Sequence, residues 1–206
     1  MENHKGMMRS FLCENLRDLM RKNVFEKITI KQICDQTGVI RATFYNYFED
    51  KYDCLNTIVY ADLCESYISN ISQEQITEIV EGMLKTVAEN RDFYRAAYNV
   101  TGQNSFESMV HDNLALLLEA YFKKYRRTGH LDKYANKYLA GYYAAALSYN
   151  IHEFVFQRET PDGAREMRTT IIDLLSNSMQ DFLVNQDGGS ARYCFLFSSL
   201  KRYIDT

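Results

Sequence analysis

The sequence predicts an all-α chain, with a small N-terminal unit of three helices in helix-turn-helix arrangement and a larger helical body behind it. Three observations carry this. The 206 residues include one proline, Pro161, and nine glycines, too few breakers for many short strands and turns. Apolar residues recur at three-and-four spacing through almost the whole length. Side chains suited to helix starts precede the short N-terminal segments.

The first helix is expected over residues 7–23, where Met8, Phe11, Leu12, Leu16, Leu19 and Met20 form one apolar face. Thr29-Ile30-Lys31-Gln32 is a capping box, with the Thr29 hydroxyl and the Gln32 side chain each reaching for the other residue's amide. It starts a short helix from Ile30 to about Gln36, and Gly38 supplies the left-handed position that ends it. A second short helix covers roughly Arg41 to Tyr47. Asp50 starts the next, with Asp53 three residues on as its capping partner.

The body continues with helices over 51–71, 74–89, 91–99, 104–127, 131–157 and 163–185. Thr160-Pro161-Asp162-Gly163 parts the last two, with proline where a helix start tolerates it. Asp187-Gly188-Gly189-Ser190 reads as a linker. Beyond it Tyr193, Leu196, Phe197, Leu200, Tyr203 and Ile204 repeat at helical spacing, as an extra helix would. The expected organisation is residues 1–51, then 52–187, then a tail of 188–206.

Hydrophobic residues make up 46% and charged residues 25%, values of an ordinary globular chain. The net charge is −3, but it is unevenly spread. Residues 1–51 hold nine Lys/Arg against seven Asp/Glu, and residues 52–206 hold fifteen against twenty. A mildly basic head on an acidic body suits a protein that touches phosphate only with its head. No stretch reaches the length of a membrane span, and the N-terminus lacks signal-peptide layout, so a cytoplasmic protein is expected. Five cysteines, an odd number without a CxxC pair, argue against a disulfide framework or zinc site.

Two short helices joined by a glycine-containing turn and braced by a longer helix describe a helix-turn-helix. Phe44 and Phe48, four apart, can both point inward. That leaves Arg41, Thr43, Tyr45, Asn46 and Tyr47 for the outer faces. Arg reads guanine edges, Asn reads adenine, and small residues such as Ala42 let a helix approach the groove. Tyrosine hydroxyls and the Lys51 ammonium suit phosphate oxygens.

These residues also carry a resemblance. Thr29, Gly38-Val39, Thr43-Phe44-Tyr45-Asn46-Tyr47-Phe48 and Lys51 follow the pattern of the N-terminal domain of the TetR family of transcription regulators, over residues 9–60. Asp50-Lys51-Tyr52-Asp53 with Leu55 resembles a subset that includes regulators of dihydroxyacetone-kinase operons. Asn90-Arg91-Asp92-Phe93-Tyr94-Arg95 and Gly102-Gln103-Asn104-Ser105-Phe106 look like segments of one C-terminal domain type of the family. There are two departures. Ile40 replaces the usual small or polar cap of the recognition helix, and Cys34-Asp35 stand where two alanines are common.

The resemblance implies a DNA-binding regulator, a repressor in the family's usual mode, acting as a homodimer on a palindromic operator. Thr29 and Lys31 would lie near DNA, Arg41 and Thr43 would face bases, and Tyr45, Tyr47 and Lys51 would hold phosphates. The body would be a C-terminal helical ligand-binding and dimerisation domain, its last two long helices pairing with their copies. An unknown small-molecule effector would sit among Tyr94, Tyr98, Phe106, Tyr121, Tyr142, Tyr149 and His152. Each of these also has a plain reading as core or surface packing. The basic run Lys123, Lys124, Arg126 and Arg127 reads most simply as cations at a helix C-terminus.

No cofactor, metal or membrane partner is expected. His111, His130 and His152 form no ligand spacing with one another or with a cysteine. No HExxH, nucleophile elbow or P-loop is present, so an enzyme is not expected. The competing function is a protein-binding co-regulator on the same fold that does not bind DNA itself, a reading favoured by Ile40 and the weakly basic head.

Overall fold

The computed structural model describes residues 2–71, 76–125, 133–157 and 161–176, and among them every regular element is helical. The elements are α1 (Glu2–Met20), a single 3-10 turn (Phe25–Lys27), α2 (Ile30–Thr37), α3 (Arg41–Tyr45) and α4 (Lys51–Tyr60). A wider π-type stretch (Ala61–Glu65) follows, then α5 (Ser66–Ser69), α6 (Ile76–Glu89), α7 (Arg91–Ala97), α8 (Phe106–Tyr125), α9 (Lys133–Phe156) and α10 (Pro161–Ser176). Described residues up to Arg168 form one compact unit, and a second begins at Thr169.

The N-terminal head closes on Leu12, Leu16, Phe25, Ile33, Phe44 and Phe48, all buried. α1 packs on α2, α4 and α7, so it touches both the head and the body. Its buried arc is rotated from the expected one. Cys13 and Arg17 join Leu12, Leu16 and Met20 inside, while Phe11, on the opposite flank, is exposed.

α4, the π-type stretch and α5 keep right-handed helical backbone through each joint, so they make one continuous rod from Lys51 to Ser69. The body core holds Met83, Leu84, Phe93, Tyr94, Phe106 and Phe154, among others. α8 and α9 form its most extensive helix pair. Two arginines of α7 reach the C-terminal end of α9, where backbone acceptors are free. Arg91 donates to the Gln157 carbonyl at 3.2 Å and Arg95 to that of Val155 at 3.1 Å.

α9 is apolar on more than the side that faces the core. Ala140, Ala144, Leu147, Ile151 and Phe154 are buried, while Tyr138, Tyr142 and Tyr149 are 78%, 68% and 65% exposed. α10 starts on Pro161, whose missing N–H costs nothing in a first turn. The expected extension of α10 to residue 185 and the tail over 188–206 lie outside the described residues. No described helix is long and apolar enough to cross a membrane.

Candidate nucleic-acid interface

The capping box at Thr29 forms as the sequence predicts. The Thr29 hydroxyl accepts from the Gln32 amide at 3.2 Å, and the Gln32 Oε1 accepts from the Thr29 amide at 2.8 Å. α2 buries Ile33 and Cys34 and leaves Lys31 exposed. It stops at Gly38, whose φ of 69° lies in the left-handed region, where a Cβ is disfavoured. The Val39 amide then returns to the Cys34 carbonyl at 3.1 Å, turning the chain toward α3.

α3 begins without a side-chain cap, because Ile40 holds the N-cap position in extended conformation and its side chain lies exposed. The regular helix ends at Tyr45, two residues short of the expected Tyr47. The chain tightens rather than breaks there. Amides of Asn46 and Tyr47 bond three residues back, and that of Phe48 bonds to Phe44. This winding brings Phe48 against Phe44, with ring centroids 5.3 Å apart, and both are buried. Anchored by these two rings, α3 shows Arg41, Ala42, Tyr45 and Asn46 to solvent, with Thr43 and Tyr47 half-buried.

Asp50 caps α4, accepting from the amides of Tyr52 and Asp53 at 2.7 and 2.9 Å. Asp53 answers on the Glu49 amide at 3.0 Å rather than on Asp50 itself. Lys51, expected to hold a phosphate, has partners within the chain. Its ammonium donates to the carbonyls of Phe25, Glu26 and Ile28 at 2.8, 3.1 and 3.0 Å, and lies 4.6 Å from the Phe25 ring centre. An ammonium has three hydrogens, and all are committed. Burial lowers its pKa. In this arrangement Lys51 ties the loop before α2 to the start of α4.

Sequence reasoning missed the polar junction between head and body. Arg17 of α1 makes a two-pronged pair with Asp62, at 3.0 and 2.9 Å, and lies 4.7 Å from the Phe93 ring centre. The Tyr94 hydroxyl donates to the same carboxylate at 3.0 Å. Burial, and then the Asp62 charge, push the Tyr94 phenol far up, so it stays a donor at physiological pH. Asp62 lies in the π-type stretch, so three segments meet on one carboxylate. The spacing gave no signal for it, since Arg17 lies off the apolar face that Met8, Phe11, Leu12, Leu16, Leu19 and Met20 mark in the sequence.

Among the described residues the aromatic set assigned to an effector pocket is spread over several packing environments. Tyr94 and Phe106 are packed in the core, edge to face at 5.8 Å. Tyr98 contacts Phe106, His152 and Phe156, and Tyr121 lies with Phe122 and Tyr125. Tyr142 and Tyr149 face outward, and of the seven only Tyr149 lines a described cavity. Lys124 donates to the Ile71 carbonyl. Arg126, Arg127 and His130 lie outside the described residues. Cys13, Cys34, Cys54 and Cys64 are free and buried, and burial pushes the Cys34 and Cys64 thiols up, away from reactive thiolate. No group of three metal-ligating side chains occurs among the described residues.

Residues 74–181, just over half of the chain, match the TetR-type family model described as transcriptional regulator C-terminal region. One curated relative is the HTH-type dhaKLM operon transcriptional activator DhaS of Lactococcus lactis subsp. lactis (strain IL1403). It is 26% identical over 87 residues, 42% of this chain and 46% of the relative, so the match spans less than half of that protein. Among solved structures, the dihydroxyacetone kinase operon activator DhaS superposes with a TM-score of 0.57 at 21% identity, over 82% of this chain and 93% of that one. A chain from Syntrophomonas wolfei str. Goettingen, described as a TetR-family transcriptional regulator, gives 0.59 at 20% identity, over 88% and 100%. At these identities the two structures speak to the fold.

Proposed function

The chain belongs to the TetR family of transcriptional regulators, and from that premise we propose that it binds a palindromic operator as a homodimer and answers a small-molecule effector. The observation that carries the DNA reading is the outward face of α3, held by the two buried rings of Phe44 and Phe48. Arg41 is placed to read a guanine edge and Asn46 an adenine, while Ala42 lets the helix come close to the groove floor. Thr43 completes the base-facing set. Tyr45, Tyr47, Lys31 and the Thr29 end of α2 hold the backbone. Lys51 acts one step back, by fixing the loop from which α2 starts.

The homodimer reading rests on the outer side of α9. Tyr138, Tyr142, Ala145, Tyr149, His152 and Phe156 follow one another at alternating four- and three-residue spacing, the seam of a helix that packs against another helix. Tyr138, Tyr142, Ala145, Tyr149 and Phe156 in that row are exposed. A helix apolar all round belongs in an interior, and a second copy would provide one. Two heads would then address half-sites whole helical turns apart.

The effector would act by favouring one head spacing over another, which needs only a differential affinity for the two states. The Arg17–Asp62–Tyr94 junction is the route by which the body biases the head. Repression by occupying the operator is the mode we propose first. The printed name of the Lactococcus relative, a transcriptional activator, supports activation as the second reading. Either role places the protein in the cytoplasm with the DNA.

The test is selection from random duplex DNA with the purified chain, then titration of the enriched site at two salt concentrations. A palindrome bound by two chains, and weakened by salt as phosphate contacts require, is the expected result. No enrichment would move the assignment to a co-regulator that binds protein instead of DNA.

A further inference from the structure

We infer that Ile40 is a specificity-determining residue, whose side chain packs on the C5 methyl of a thymine and so selects a T·A pair beside the base that Arg41 addresses. This deepens the DNA reading proposed above and rests on it. Ile40 directly precedes α3 in extended conformation, with φ −83° and ψ 156°. Its carbonyl accepts from the Thr43 amide at 2.9 Å, so its backbone serves the helix start. Its side chain does nothing comparable. It makes no capping hydrogen bond, where Ser, Thr, Asp or Asn would satisfy a first-turn amide. It is also 72% exposed, more than any other large aliphatic side chain among the described residues; the next is Val24 at 57%. The isoleucine therefore neither caps the helix nor fills the core.

An exposed apolar residue is ordinary on a protein surface, and what distinguishes Ile40 is its place. The two residues that follow it, Arg41 and Ala42, are exposed as well. In a helix-turn-helix the opening residues of the second helix are the ones that reach base edges. Those edges carry hydrogen-bonding groups with one apolar exception, the thymine methyl. Isoleucine can neither donate nor accept, so T·A is the pair that offers it a favourable contact. Over G·C or C·G the same side chain would cover a donor or acceptor and strip it of water, which costs free energy. One residue thus rewards thymine and penalises the alternatives.

The other possible partners fit less well. A phosphate oxygen asks for a donor, which the side chain lacks. A protein partner asks for a contiguous apolar patch. Between Thr29 and Asp50 the exposed large apolar side chains are Ile40 and Tyr45 alone, and Tyr45 carries a hydroxyl. One aliphatic side chain is too little for a protein interface and enough for a methyl group.

The probe is the duplex that the full chain enriches from random DNA. Each of its thymines is replaced singly by deoxyuridine, which lacks the C5 methyl, and the Kd is measured at fixed salt for the parent and for Ile40→Ser. One thymine per half-site is expected to respond, adjacent to the position whose preference Arg41→Ala relaxes. Its deoxyuridine form should bind the parent about fourfold more weakly, the worth of one methyl group taken out of water. Ile40→Ser should bind the two forms equally. Its melting temperature should hold or rise, since the position is exposed and serine supplies a cap, so a loss of affinity is not a loss of fold. The inference is overturned if no thymine responds, or if the methyl effect persists in Ile40→Ser, which would assign it to another side chain such as Ala42. It is also overturned if Ile40→Ser binds every duplex as the parent does, which would leave Ile40 for a protein partner. If no duplex is enriched, the DNA reading and the inference fall together; an enriched palindrome without the methyl effect overturns the inference alone.

Discussion

At the junction of α1, the π-type stretch and α7, a charged pair lies against the rings of Phe93 and Tyr94. Along the outer side of α9 the rings themselves face solvent. The first region is closed within one chain, since Asp62 takes two hydrogen bonds from Arg17 and one from Tyr94. The second holds Tyr138, Tyr142 and Tyr149 with most of their surface free. A buried charge is tolerated only when its partners are supplied, so the junction records a completed arrangement. A row of exposed rings at seam spacing is the face that the proposed second copy would cover.

Substitution can break or sharpen this contrast, and the largest effect is expected at the junction. Asp62→Ala leaves Arg17 buried without its counter-charge. It should cost about 3–5 kcal/mol of stability, a fall in melting temperature of roughly 6–20 °C for a chain this size. A loss within a degree or two by calorimetry would mean that the junction is not closed in the way described. Next comes the α9 seam. Tyr142→Glu combined with Tyr149→Glu should raise the dimer dissociation constant about a hundredfold or more, with helicity retained. Sedimentation at micromolar concentration reads this directly, and an unchanged dimer would place the second copy elsewhere.

Lys51→Met is smaller and discriminating. Losing three charge-assisted hydrogen bonds should cost about 1.5–3 kcal/mol of stability, while the salt dependence of DNA binding keeps its slope. A slope lower by about one unit would return Lys51 to the phosphate role. Smallest in reach is Arg41→Ala. It should relax preference at a single base position by about 1–3 kcal/mol, leaving the others as they were. Uniform weakening across all sequences would make Arg41 a backbone contact instead.

The head was the legible part of the molecule because its determinants are local. The Thr29 box, the left-handed Gly38, the Asp50 cap and the Phe44–Phe48 pair each act within a few residues, and each forms. The bonds of Lys51 were not legible because its partners are carbonyls more than twenty residues away, and a carbonyl carries no trace in the sequence. Phe11 was placed inside because the apolar stripe of α1 is wide. Which arc turns inward was decided by Arg17 finding Asp62, forty-five residues on. The effector residues are scattered for a related reason. Aromatic residues at helical spacing show that a face is apolar, and they do not show whether it meets a ligand, the core or another chain.

The sequence by itself therefore determined an all-helical chain, the helix-turn-helix and the side chains that α3 presents, because capping, turn chemistry and 3.6-residue periodicity are short-range. Only the tertiary structure decided that Lys51 bonds the loop carbonyls and that Asp62 joins three segments. Those outcomes depend on which distant groups meet once the helices pack, and on the requirement that a polar group taken out of water find a partner where it lands.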